Sequence, residues 1–275
     1  MRGQARDYDQ WAELTGDSEW SWAASLDDFK AHEDHYSLDD SANSLDPKIQ
    51  ERARLHGSGG EWRVEKQRLR WEILEAYAKA AIQTGIPATE DFNGGDNSGA
   101  GYFDVNQRSG WRWNTSKAFL RPIKKRPNLE IWTHAQVTKL NLITEADEQK
   151  KCISVDVRSN GKDYTLDASL EVLLSAGATG SHQILQLSGI GCPAHLASVG
   201  VEVKHALKGV GQNLQDHLQI RTVYGVEGVK TLNKMASTLL GKAAFAIEYA
   251  LKRTGPMSMA PSQLGIFTKS DPALK

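Results

Sequence analysis

The sequence predicts an α/β protein of α+β character, and three observations predict it. Apolar residues recur every three or four positions over 65–84, the period of an amphipathic helix. Two runs that alternate apolar and polar residues, 153–157 and 164–168, are joined by Ser159-Asn160-Gly161-Lys162, a strong hairpin turn because Asn-Gly tolerates positive φ. Val172-Leu173-Leu174 lacks polar alternation, as expected of a strand buried on both faces, and leads into a run of small residues.

Taken in order, Leu26 and Phe29 stand at helical spacing over 20–33, with Ser18 or Ser21 available to cap a short surface helix. Residues 41–60 are rich in Ser, Asn, Asp and Gly and show no apolar period, which predicts a long loop or lid. In 65–84 the apolar stripe is Leu69, Ile73, Tyr77, Ala80 and Ala81, and Gly85 and Pro87 stop the helix. Residues 91–101 hold four glycines, which predicts irregular backbone. A strand over 129–142 completes an antiparallel three-strand meander spanning 129–169. The 172–174 run is expected inside a parallel sheet, 218–226 as a further strand, and 233–253 as one helix capped by Asn233 and stopped by Thr254-Gly255-Pro256.

Composition narrows the function classes. With 275 residues and 40% hydrophobic content the chain can bury a substantial core as one large domain or two ordinary ones. Its 33 basic and 34 acidic side chains leave a net charge of -1, so no global field draws nucleic acid or an anionic membrane. The apolar stretch 239–251 is interrupted by Lys242 and Glu248 and falls short of a bilayer span. No apolar core follows Met1 as it would in a secretory signal, and a cytoplasmic setting is expected. Cys152 and Cys192 stand far apart, which suggests two buried thiols instead of a disulfide framework or a zinc knuckle.

Residues 173–181, Leu-Leu-Ser-Ala-Gly-Ala-Thr-Gly-Ser, read as a strand, a tight turn and a helix start. In that geometry backbone amides and a helix N-terminus can lie beside phosphates without a side chain in the way. Ser175 stands where the dinucleotide fingerprint needs its first glycine, so a purely structural turn is the equal alternative. Residues 189–194 do satisfy G-x-G-x-x-A, but they follow a helical pattern instead of a strand and read as a decoy. His32 and His35 are spaced for one helical face and read as solvated. Asp216-His217 reads as structural hydrogen bonding, and the basic run 121–126 as a solvated loop. Neither a G-x-S-x-G elbow, an H-E-x-x-H helix nor a phosphate-binding G-x-x-x-x-G-K-[ST] loop is present, and the residues alone stop at an α/β protein with a turn that suits a cofactor.

Residues 177–191, GATGSHQILQLSGIG, closely resemble the second signature of the glucose-methanol-choline (GMC) flavin oxidoreductases, except that His182 stands where proline or serine is usual. RGQARDYDQWA (2–12), DFNG (91–94), FLRP (119–122) and GVGQNLQDH (209–217) also resemble family segments, in the family's order, with the choline dehydrogenase-like branch nearest. The resemblance implies FAD as cofactor and hydride transfer from a small-molecule alcohol. It places Val137 at a backbone contact to the adenine, and Gly177 and Ala178 beside the flavin nucleotide. It divides the chain into an extension with a lid-like loop (1–60), an FAD-binding portion (61–217) and the start of a substrate-binding portion (218–275). The family's opening G-x-G-x-x-G and its catalytic histidine fall outside the matched motifs. The expectation is therefore an internal portion of such an enzyme, inactive alone, without catalytic residues of its own, and completed by a complementing chain or a second copy. A non-catalytic remnant is the alternative.

Overall fold

The computed structural model describes residues 1–39, 46–146 and 149–270. The chain divides into two compact units, Met1–Leu129 with Tyr224–Lys275, and Glu130–Val223.

The first unit begins with α1 (Ala5–Thr15) and α2 (Trp22–His32). Ser21 caps α2, its hydroxyl accepting from the Ala24 N–H at 3.4 Å. These helices meet through rings: Tyr8 lies 5.4 Å from Trp22 and edge-on to Phe29 at 6.0 Å. β1 (Glu33–His35) follows directly, then α3 (Pro47–Leu55), then β2 (Trp62–Val64), which pairs in parallel with β1. Helix α3 corrects the expected loop over 41–60; Pro47 suits a first helical turn because its missing N–H would have no partner there anyway. The part of that span up to residue 45 lies outside the described residues.

Helix α4 (Glu72–Gln83) starts later than the apolar stripe suggests. Glu65 spends its backbone on a bridge to Val105, with N–H to O distances of 2.9 and 2.8 Å in the two directions, so the chain there is extended. β3 (Gly99–Tyr102) corrects the expectation of irregular backbone for its residues. Its glycines serve close approach: a Cβ on Gly101 would stand 2.1 Å from the Thr89 carbonyl oxygen. β4 (Gln107–Arg108) and β5 (Trp111–Arg112) form a tight hairpin. A π-helical turn at Ser116–Leu120 then runs into α5 (Arg121–Ile123), so the basic segment opens as helix where a loop was expected.

The second unit contains the meander. β6 (Ala135–Thr144), β7 (Lys150–Ser159) and β8 (Lys162–Asp167) pair antiparallel in the order β6-β7-β8, with Asn160 and Gly161 at φ 50° and 76° as the hairpin requires. α6 (Gly177–Leu187) packs on β6. Beyond it, β9 (Ile190–Gly191), α7 (Pro193–Ser198) and β10 (His205–Ala206) close the unit, with β9 and β10 parallel. Its core is Leu140, Val157, Ile184 and Leu196.

Two expected strands do not form. Residues 172–174 and 218–226 lie outside every strand, with Leu173 81% and Leu218 91% exposed. A strand needs a ladder partner, and the 172–174 run, which lacks polar alternation, needs one on both sides; among the described residues no strand pairs with either segment.

The chain then returns to the first unit with α8 (Leu232–Ala236), α9 (Leu239–Lys252) and β11 (Leu264–Phe267), which pairs antiparallel with β3. The single helix expected over 233–253 is thus two, capped by Thr231 and Thr238 instead of Asn233. The Thr238 hydroxyl accepts from the Gly241 N–H at 3.0 Å, a local bond that competes with helix continuation. Among the described residues no helix is long and apolar enough to cross a membrane. Cys152 and Cys192 are free and half-buried, where fully buried thiols were expected.

Candidate functional site

The small-residue bend of the second unit is built from both sides. Gly177 starts α6 at φ +81°, a conformation that side-chain-bearing residues rarely adopt, and a Cβ there would meet nothing within 4 Å. Ala178 and Thr179 are exposed, so the first amides of α6 face open space. The Ser181 hydroxyl accepts from the Ala176 N–H at 3.1 Å and ties the bend together. His182, at the position that departs from the family pattern, bonds the Ala178 carbonyl through Nδ1 at 2.7 Å, which makes Nδ1 the protonated nitrogen.

At the other end Ser188 anchors the helix to the sheet. Its hydroxyl donates to the Ile184 carbonyl at 2.6 Å and accepts from the Leu140 N–H at 2.8 Å, with Ser188 2% exposed. Ser188→Ala would leave the buried Leu140 N–H unpaired, and a loss of about 1–3 kcal/mol is expected in urea denaturation. Gly189, at φ +85°, ends α6, and its carbonyl accepts from Lys204 and His205 as β9 and β10 pair. That is a structural use of the glycines that mimic a dinucleotide fingerprint. Val137, half-buried on β6, sits where the β6–β7 register shifts between Val137 and Lys139. Beside the bend, Leu140, Leu142, Val172, Leu174, Leu185 and Leu207 contribute to an apolar cleft of about 360 Å³; neither Val137, Gly177 nor Ala178 lines it.

The first unit holds a cluster that pattern reading missed. Glu33 Oε2 accepts from Arg2 Nη2 at 2.8 Å, from the Gly57 N–H at 3.0 Å and from His56 Nδ1 at 3.0 Å. His56 Nε2 reaches Asp91 Oδ2 at 2.9 Å. Burial disfavours charge on the His56 ring, yet hydrogen bonds to Asp91 and Glu33 outweigh it and raise its pKa. Burial likewise works against the carboxylates, but His56 and the neighbouring donors prevail, so Glu33 falls below its usual range and Asp91 falls to about 2. An imidazolium between two carboxylates results. His35, wholly buried, stacks on His56 at 3.8 Å and bonds Asp104 at 3.3 Å, which corrects the expected solvated face. The signal was available only in part: Arg2 and Asp91 lie in recognised segments, whereas His56, directly after α3, meets Glu33 where Gly57 is tied to β1 through the His35 N–H and the Glu33 carboxylate, which periodicity does not reveal.

Asp216 accepts from the His217 N–H at 2.9 Å, both residues being exposed, in keeping with a structural bond. The model of the GMC oxidoreductase family matches residues 1–219. The chain belongs to the GMC oxidoreductases. It is 34% identical over 275 residues to an oxygen-dependent choline dehydrogenase of Staphylococcus xylosus, covering 98% of this chain and 45% of the relative. It is 33% identical to the mitochondrial choline dehydrogenase of Homo sapiens, covering 100% of this chain and 43% of that one. An FAD-dependent oxidoreductase from Chaetomium thermophilum shares the fold with a TM-score of 0.78 at 24% identity, covering 96% of this chain and 46% of the other. This GMC chain thus spans about half the length of the curated relatives it matches. Members of the family are FAD-binding flavoproteins, and the bend fits such a group, because open main chain at a helix start is what a phosphate-bearing cofactor needs.

Proposed function

We propose that this chain is part of an FAD-dependent oxidoreductase acting on the CH–OH group of a small alcohol, and that Val137, Gly177 and Ala178 lie against FAD. The observation that carries the proposal is the open bend at Gly177 within a GMC match over 1–219. When bound, FAD would accept a hydride from the alcohol carbon. The amides of Gly177 and Ala178, at the positive end of α6, would favour the cofactor's negative charge. The register shift after Val137 supports a backbone contact there, since a bulge leaves groups unused by the ladder. In this reading residues 1–60 extend the FAD-binding portion 61–217, and 218–275 begin the substrate-binding portion. The base that takes the hydroxyl proton lies outside these motifs, so the chain alone has no turnover and works with a complementing chain or a second copy.

Titration with FAD, followed by quenching of flavin fluorescence, tests the reading. Weak, saturable binding is expected, and Gly177→Val should reduce it about tenfold by adding a branched side chain at a positive φ beside the cofactor. No quenching at any concentration would overturn the cofactor assignment, and alcohol turnover by the chain alone would overturn its inactivity. The second reading, a non-catalytic remnant or a subunit that needs a partner, draws on the exposed apolar side chains of Leu170, Leu173, Leu218 and Val223.

A further inference from the structure

A cleft of about 700 Å³ lies within the first unit, walled by Phe103, Trp111, Tyr249 and Met259, with the 56% exposed Met257 at its edge. Aromatic rings and thioethers make these walls suited to an apolar body. The charges around it are one-sided. Arg112 and Lys117 line the cleft, and the Arg253 guanidinium lies 4.5 Å from the Trp111 ring centre. Among the described residues none of these three cations has an ion-pair partner, and Lys117 Nζ donates only to the Arg112 carbonyl, at 2.7 Å. Asp104 is the sole carboxylate on the lining, and its oxygen faces His35 at 3.3 Å. The cleft therefore carries unpaired positive charge beside aromatic and thioether side chains, in a lining that also includes the polar Asn106, Gln107 and Ser258.

We propose that this cleft takes an alcohol whose apolar body carries a carboxylate, and that it disfavours a cationic alcohol such as choline. The inference rests on the reading of the chain as part of an alcohol oxidoreductase. A carboxylate would supply the partner that Arg112 and Lys117 lack, whereas a quaternary ammonium would meet like charge and find the Trp111 face already covered by Arg253 and Lys117.

Calorimetric titration of the full chain with para-hydroxymethylbenzoate, benzyl alcohol and choline provides the test. Saturable binding of the carboxylate is expected, with benzyl alcohol about tenfold weaker and choline weaker still. Added salt should weaken the carboxylate alone. Arg112→Gln with Lys117→Gln should abolish the preference, while Lys117→Arg retains it, circular dichroism confirming the fold of each. Choline binding as tightly as the carboxylate, or affinity unchanged in the double glutamine variant, would overturn the inference. FAD binding, read separately by flavin fluorescence, separates the two failures. Carboxylate binding without FAD binding would sink the flavoenzyme reading and retain the cleft as an anion site; FAD binding with choline preferred would do the reverse.

Discussion

Glu33→Ala is expected to cost the first unit about 3–5 kcal/mol, the range seen when one partner of a buried ion pair is removed. One oxygen of this carboxylate serves Arg2, His56 and the Gly57 amide at once, at 2.8, 3.0 and 3.0 Å. The Arg2 side chain is 7% exposed and that of His56 is fully buried, so water cannot replace what is lost. Since domains are stable by only about 5–15 kcal/mol, chemical denaturation of the variant should show the first unit melting early or unfolded. Glu33→Gln, which keeps an acceptor for Gly57 but drops the charge, should fall between.

The same cluster sets a pH signature. His56 has a raised folded pKa, so its contribution is complete below the ordinary imidazole value of 6.5 and is lost as pH rises through the raised value. Asp91 has a folded pKa of about 2 against an ordinary 3.8, so its contribution is complete above 3.8 and is lost as pH falls toward 2. Glu33, also lowered, adds to the acid limb. Stability of the first unit should therefore peak between the ordinary carboxylate and imidazole values. In Glu33→Ala the alkaline loss should be smaller and end at lower pH, because His56 retains one carboxylate instead of two and its pKa is raised less. An unchanged alkaline limb would contradict the imidazolium assignment.

Leu196→Ala should cost the second unit about 2–5 kcal/mol, transfer of a buried leucine plus the cavity it leaves. Leu196 is wholly buried on α7, packed against Gly191 where β9 ends. The loss should appear in the second unit's transition, while the pH signature of the first persists. A shift below about 1 kcal/mol would mean that the site collapses freely and that α7 is not part of the core.

Local chemistry was legible wherever a short stretch decides its own conformation. The 159–162 hairpin, the Ser21 cap and the helix that follows Gly177 all form as their residue types imply. Reading failed where an apolar run depends on distant partners: 172–174 and 218–226 carry strand-like composition, yet no ladder reaches them among the described residues. It failed too where a polar local bond beat periodicity, as at Thr238 between α8 and α9. The bend at Gly177 could be read as a place for a cofactor because glycine's freedom is a property of the residue itself.

By itself the sequence determined the family, the meander and the slender bend, since each follows from neighbours within a few positions or from motifs in fixed order. Tertiary structure alone decided that Glu33, His56, Asp91 and Arg2 form one charged centre, and that Arg112 and Lys117 stand without an ion-pair partner at a cleft lined in part by aromatic rings. Electrostatic energy depends on distance and solvent exposure, and neither quantity is written in the spacing of residues along a chain.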